Sequence, residues 1–484
     1  MAVLTELVQH FVVLMLENRS YDLMLGGLRD PKYVGVASGR ELPCEGPLGP
    51  TVAISHGLPP DRMGPDPKHG LLDVRRQIYG ALPAEPKADM LGFARNYYER
   101  QLNRSEFHGD RAACMRDFMT IYAEDRLPVL HTLAKQYAVC THWFSSLPSL
   151  TSPNRAFAHA GTSRGEFEQS TFEWFGLLRD ITVFDLLPCN PGAWRVYHSG
   201  PPHLWLMGDE WLRDKKDNFR PFERFARDVR AGSLPTYTFI EPRHFDLLGS
   251  GTSQHPPHSV SAGERLIASV YDALLSNFAL FEKTLFLIVY DEHGGFFDHV
   301  IPPGHLGWDD GLHAPHVVVP PDEKRAPGFG FDQLGVRVPA VLVTPWLDAG
   351  TTVGWAAAER ALRQTFDHTS ILATVDQLAP SAHVLRHSRR AQAATALNLP
   401  ARPRVRRPEE CPGPLLRGVA LHDASGVALR MLEPVPLGTA VAHAETTPDS
   451  GPEKELLDAW EQRSGNRSWA ELETHTDTLL APSP

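Results

Sequence analysis

An apolar run from Leu285 to Tyr290 stops at two adjacent acids, Asp291 and Glu292, and His293, Gly294 and Gly295 follow at once. The run has the length and the β-branched and aromatic content of a strand. In an open α/β sheet, ligands bind in the crevice at the carboxyl ends of the strands. Two neighbouring carboxylates repel each other unless a proton or a cation lies between them. The pair therefore points to a hard metal ion. The same arrangement recurs at the other end of the chain, where the run Phe11–Leu16 is followed by Glu17 and Asn18. Taken alone, that second site is explained better by an Asx-turn beside a surface carboxylate.

Three further segments carry residues suited to phosphate chemistry. In Ser149-Leu-Thr-Ser-Pro-Asn-Arg155, either Thr151 or Ser152 could be a nucleophile at a helix N-terminus, where backbone N–H groups stabilise anions. A plain helix start with Pro153 in the first turn accounts for the same residues. In Gln254-His-Pro-Pro-His258, the neighbouring prolines hold His255 rigidly, which suits a metal ligand or a phosphate-binding imidazole. In Asp66-Pro-Lys-His-Gly70, His69 could contact an anionic substrate or lie in a loop that leads into the next helix. A fourth segment, Thr365-Phe-Asp-His-Thr-Ser370, offers Asp367 or Thr369 as a cap for the helix that follows, and capping explains it better than catalysis. A glycosidase is poorly supported, because adjacent acids point in different directions and do not flank one bond.

Taken in order, Glu-Asn-Arg-Ser-Tyr-Asp, Thr-x-Pro-Asn-Arg, Ile-Glu-Pro, His-Pro-Pro, Tyr-Asp-Glu-His-Gly-Gly-Phe-Phe-Asp-His and Phe-Asp-His-Thr-Ser resemble the bacterial phosphoesterase family. That family holds phospholipases C and acid phosphatases within the alkaline-phosphatase-like superfamily, and the resemblance spans roughly residues 10 to 378. It implies a metal-dependent phosphoric ester hydrolase of phospholipase C type, working through a Thr nucleophile and a phospho-enzyme intermediate. By motif position, Glu17, Asn18, Asp291 and Glu292 match metal ligands, and Thr151 matches a nucleophile that also touches the metal. His69 and His255 match histidines that hold the phosphoryl group, with Asn18 placed to reach a phosphate oxygen. His255 is preferred over His69 as the acid for the leaving group. A donor set of carboxylate, amide and hydroxyl oxygens favours Ca²⁺, Mg²⁺ or Mn²⁺. The alternatives are an acid phosphatase-like phosphomonoesterase and a binding protein without turnover. The chain departs from the family pattern at Cys140-Thr-His-Trp, where an aspartate and an arginine are expected, and at Leu72 and Arg75, where tryptophan and histidine are usual.

The elements that must position these residues are legible as an alternation. Strand-like runs at Phe11–Leu16, Thr236–Ile240, Leu285–Tyr290 and Val338–Thr344 alternate with helical segments such as Ala262–Ser276 and Glu359–Leu378. That alternation predicts α/β layers around a largely parallel sheet, and the resemblance implies a three-layer α/β/α, alkaline-phosphatase-like architecture. Residues 60–135 read as a mostly helical insertion or cap, and the Pro/Gly-rich stretches 39–67 and 302–334 read as long surface loops. The catalytic domain is expected to span 1–398. Residues 399–484 then form a proline-rich linker (399–415) and a small appendage with a strand-like piece at Gly418–Leu432 and an acidic helix near Glu453–Glu461.

Bulk composition narrows the partners. Lys+Arg number 47 and Asp+Glu 58, giving a net charge of −11, so nucleic acid is not an expected partner. The expected substrate is a phosphate ester or phospholipid, with transient contact at a membrane surface compatible with the latter; oligomeric state is left open. Five scattered cysteines lack the spacing of a zinc or redox motif. No run approaches the ~20 apolar residues of a membrane span, and the N-terminus lacks the pattern of a signal peptide. A cytoplasmic location is the expectation for the sequence as it stands, and export is the alternative suggested by the resemblance.

Overall fold

The computed structural model describes residues 3–416, apart from 81–86, 168–177, 179–181, 188–191, 209–211, 213–214, 245–250, 306–328, 355–363, 380–394 and 398. Twelve strands are present among them: β1 His10–Leu16, β2 Glu41–Gly46, β3 Gly49–Ala53, β4 Ser55–Gly57, β5 Thr120–Tyr122, β6 Ala138–Cys140, β7 Trp194–His198, β8 Phe219–Pro221, β9 Tyr237–Glu241, β10 Thr284–Tyr290, β11 Ala340–Val343 and β12 Thr351–Val353. Eight form one sheet in the order β12-β6-β11-β10-β1-β9-β7-β8. Only β11 runs antiparallel to its neighbours, β10 and β6; every other adjacent pair in the sheet is parallel.

The centre of the sheet is apolar on both faces. Every residue from Phe11 to Leu16 and from Thr284 to Tyr290 is buried, the pattern of parallel strands covered by helices on both sides. The helices pack as two groups. Pro128–Gln136, Phe225–Arg230, Val260–Leu275 and Phe278–Phe281 contact one another on one side. Leu4–Leu7, Thr151–Ala160, Val183–Leu186 and Thr369–Leu378 form the other group. The expected α/β/α layering around a mostly parallel sheet is what the chain adopts.

Residues 60–135 are less helical than expected: the helices Leu71–Tyr79, Phe93–Tyr97 and Arg111–Phe118 precede β5, but loops and β5 make up about as much of the described stretch. The stretch 39–67 differs from its reading as a loop. β2 and β3 pair antiparallel, and β4 pairs parallel with β5. Alternating burial of Leu42 and Cys44 gives β2 one inward face, a signal that Pro43, Gly46 and Gly49 interrupt in the sequence. The proline-rich segment runs along the core. Arg402 N donates to Trp346 O, Arg406 N donates to Pro345 O, and Tyr271 Oη donates to Pro412 O. Most of the 302–334 stretch, the first part of the 359–378 helix, the 418–432 piece and the 453–461 helix lie outside the described residues.

A buried ion network ties the N-terminal segment to the loop after β10 and to the entrance of β11. Arg337 Nε lies 2.9 Å from Asp298 Oδ1, and its Nη2 lies 3.1 Å from Asp22 Oδ1. His299 Nδ1 approaches Asp22 Oδ2 at 2.7 Å, and the Arg337 guanidinium sits 4.2 Å from the Tyr21 ring centroid.

Candidate active site

β1 and β10 are adjacent and parallel, with Leu16 in register with Tyr290. Their carboxyl ends therefore deliver Glu17–Asn18 and Asp291–Glu292 to the same edge of the sheet. All four side chains are buried. The chain turns there under constraint. Asn18 takes φ 57°, a left-handed conformation that asparagine tolerates better than most residues. Opposite it, Gly294 has φ 65°, and a Cβ placed there would stand 2.2 Å from the Asn18 carbonyl oxygen. A Cβ on Gly295 would meet Lys68 O and Pro67 Cβ, each at 2.9 Å. The two glycines let three segments of backbone crowd together, as their place after the acid pair suggests.

Backbone amides orient the acids. Asp291 Oδ1 accepts from Asn18 N at 3.2 Å and Glu292 N at 2.8 Å, and Glu292 Oε2 accepts from Gly294 N at 2.6 Å. Behind the pair, His368 binds the Asp291 carbonyl through Nε2, and its Nδ1 accepts from Trp143 Nε1 at 3.3 Å. Asp367 accepts from Thr369 N at 2.9 Å, so it caps the helix Thr369–Leu378 as expected.

Thr151 is the first residue of the helix Thr151–Ala160. Its hydroxyl donates to Asn18 Oδ1 at 3.4 Å. The Ser152 hydroxyl is buried and has no hydrogen-bond partner. Of the two candidate nucleophiles, Thr151 is the one brought to the acid cluster. Asn154 holds the turn that precedes it, accepting from Leu147 N at 2.8 Å and donating to Ser149 O and Leu150 O, each at 3.0 Å.

The two histidines reach the same place from different segments. His69 donates through Nδ1 to Pro67 O at 2.7 Å, which leaves Nε2 to face Asn18 Nδ2 at 3.2 Å and Glu292 Oε1 at 3.3 Å. His255 donates through Nδ1 to Pro256 O, and its ring centroid lies 6.4 Å from that of His69. Burial lowers the His255 pKa, but Asp66, Glu17, the Pro256 carbonyl and Glu292 outweigh it, and the imidazole ends above its usual value. His293 anchors the insertion to this loop: its Nε2 donates to Gln77 Oε1 at 2.9 Å, and Gln77 in turn donates to Lys68 O at 2.7 Å.

Two partners of the acids are not assigned by motif position. Arg155 Nε lies 3.0 Å from Asp291 Oδ2, and Nη2 lies 3.3 Å from Glu17 Oε1. His244 Nδ1 lies 3.0 Å from the same Glu17 oxygen. Arg155 was in view as the last residue of Thr-x-Pro-Asn-Arg, and its i, i+4 relation to Thr151 puts both on one helical face. Glu241, in Ile-Glu-Pro, does something else. It accepts from His203 N at 2.6 Å and Leu204 N at 3.1 Å, capping the helix His203–Met207.

Burial raises the pKa of Asp291 and of Glu292, against the pull of Arg155 on the first and His69 on the second. Glu17 goes the other way: burial would raise it, but His244 and Arg155 hold it well below the usual carboxylate range. Among the described residues, two sets of three His or carboxylate ligating atoms gather within 4.8 Å of one another. One is Asp22, Asp298 and His299, where Arg337 already supplies the cation. The other is Asp66, His69 and His255, beside the acid pair. Glu17, Asp291 and Glu292 are spread more widely along the carboxyl ends of β1 and β10. Their chemistry nonetheless fits a hard divalent ion. Glu292 Oε1 is buried with His69 Nε2 beside it at 3.3 Å, Asn18 Oδ1 and Thr151 Oγ1 lie beside each other, and Glu17 and Asp291 face one arginine.

The match to known proteins covers the same stretch of chain. A Phosphoesterase family model matches residues 8–379. Non-specific phospholipase C3 of Arabidopsis thaliana is 33% identical over 383 residues, covering 77% of this chain and 69% of its own. Non-specific phospholipase C6 of the same plant is 34% identical over 378 residues, covering 76% and 67%. Phospholipase C B of Mycobacterium tuberculosis is 27% identical over 413 residues, covering 75% and 72%. A solved structure of an alkaline phosphatase superfamily protein from Vibrio parahaemolyticus aligns over 52% of this chain and 60% of its own, with 12% identity and a TM-score of 0.29.

Proposed function

The chain belongs to the phosphoesterase family, a family of hydrolases acting on phosphoric ester bonds, and on that premise we propose that it is a metal-dependent hydrolase of phospholipase C type with Thr151 as its nucleophile. The observation that carries the proposal is the position of the Thr151 hydroxyl. It stands on the first residue of a ten-residue helix, against Asn18, at the edge where two strands deliver three buried carboxylates. The helix N-terminus adds N–H dipoles that favour a phosphoryl group in front of Thr151.

A hard divalent cation held by Glu17, Asn18, Asp291, Glu292 and Thr151 would supply Lewis-acid charge, lowering the Thr151 hydroxyl pKa and offsetting charge on the phosphoryl oxygens. In the first half-reaction, Thr151 Oγ1, its proton already given up to solvent, forms a bond to phosphorus as the bond from phosphorus to the diacylglycerol oxygen breaks. His255 Nε2 gives its proton to that departing alkoxide. His255 is preferred to His69 because its pKa is raised, whereas His69 Nε2 is already committed to Asn18 and Glu292. His69 and Asn18 Nδ2 hold the phosphoryl oxygens. In the second half-reaction, a water attacks phosphorus, the bond to Thr151 breaks, and His255 takes the proton of the water. The phosphorylated headgroup leaves and the enzyme is restored. The phospholipid substrate rests on the names of the relatives.

Thr151→Ala is expected to abolish release of p-nitrophenol from p-nitrophenylphosphorylcholine while the circular dichroism spectrum stays unchanged. Turnover by a folded Thr151→Ala protein would refute the nucleophile. The same assay run with p-nitrophenyl phosphate separates the neighbouring activity: cleavage of the monoester alone would replace the phospholipase reading with a phosphatase one.

A further inference from the structure

Arg155 is fully buried, and its guanidinium spans two of the three carboxylates at the proposed metal site. Its contact with Asp291 falls on Oδ2, while Oδ1 of the same group is taken by two backbone amides. Its contact with Glu17 falls on Oε1, the oxygen that also meets His244. Nη2 reaches back to the Met15 carbonyl at 3.4 Å, which anchors the fork to β1, while Nη1 is buried with no partner. The side chain starts one helical turn after Thr151, so the element that presents the hydroxyl also carries this charge.

The planar fork of arginine fixes the separation of the two carboxylates in a way that the point charge of lysine does not. We propose that Arg155 is a positioning residue: bridging Glu17 and Asp291, it holds both in place for a metal. This rests on the metal-dependent reading above and extends it to the residue that orients the ligands.

The test is metal binding without substrate. Full-length protein is stripped with chelator and titrated with Mn²⁺, with bound metal measured by elemental analysis and melting temperature followed with and without the ion. Wild type is expected to bind one Mn²⁺ per chain. Arg155→Met is expected to bind it roughly 10–100-fold more weakly, the usual loss when a partner that orients metal ligands is removed. Its metal-free form is expected to melt roughly 4–6 °C lower. Arg155→Lys keeps the charge without the fork and should retain one ion at about tenfold weaker affinity; it decides the matter if Arg155→Met does not fold. Wild-type affinity in a folded Arg155 variant would overturn the positioning role. Wild type that binds no Mn²⁺ would instead remove the metal reading itself, and this inference with it.

Discussion

Gly294 sits in the left-handed region with no room for a side chain, because the Asn18 carbonyl occupies the place of its Cβ. Gly39 has a similar φ of 87° with nothing within 4 Å of where its Cβ would be. The pair separates conformational strain from crowding. Gly39→Ala is expected to cost about 1 kcal/mol from backbone strain alone. Gly294→Ala adds a clash with backbone that has nowhere to go, for a total of about 2–4 kcal/mol, and it displaces Asn18 from Thr151. Urea denaturation of both variants checks the difference, with phosphodiesterase activity lost only in the second. At this scale much of the site was legible, because residues with phosphate chemistry fell at strand ends and at a helix start. Arg155 went unassigned because a guanidinium ligates no metal, and His244 because it lies outside the ordered motifs. The need of a buried carboxylate for a permanent counter-charge shows only when the strands are seen side by side.

Elements are joined here by carboxylates used as caps. Glu264, on the helix Val260–Leu275, accepts from Val129 N at 2.7 Å and Leu130 N at 3.2 Å. It thereby closes the N-terminus of the helix Pro128–Gln136, where Pro128 fills the first position. Burial pushes its carboxyl up to about 7 despite those two amides. The folded protein therefore holds this proton more tightly than the unfolded chain, whose group titrates near 4.5. Its contribution to stability is complete below pH 4.5 and is lost as the pH rises through about 7. The expected size is about 3 kcal/mol over that window. Glu264→Gln should flatten the pH dependence of the denaturation midpoint between those limits, and an unchanged slope would show that the carboxyl is not protonated in the fold. This cap is invisible in sequence because it links residues more than a hundred positions apart. The central strands were legible to within a residue or two, since Phe11–Leu16 and Leu285–Tyr290 are continuous apolar runs. The β2–β3 hairpin was not, because its turn residues break the alternation that would mark it.

At the scale of the whole molecule, Arg337 with Asp22 and Asp298 holds together parts of the chain that are far apart in sequence. All three side chains have no solvent exposure. Arg337→Met leaves two carboxylates in the interior without their cation, and a loss of about 3–5 kcal/mol is expected, read as a lower midpoint in guanidinium chloride with an unchanged m-value. The α/β class was legible from the alternation of strand and helix. The connection between the proline-rich segment and the core was not, since 399–415 reads as a linker from its prolines, while hydrogen bonds to Trp346, Pro345 and Tyr271 hold it against the sheet and its helices.

The amides that close on the acids, from Asn18, Glu292, Gly294 and His299, sit between central strands and this locked network. Their protons are expected to exchange with solvent only as slowly as the molecule opens globally, which hydrogen–deuterium exchange checks. The ordering entropy of the site is thus spent in folding. A ligand arriving there would meet groups that are already ordered, so less of its binding free energy would be spent on ordering them.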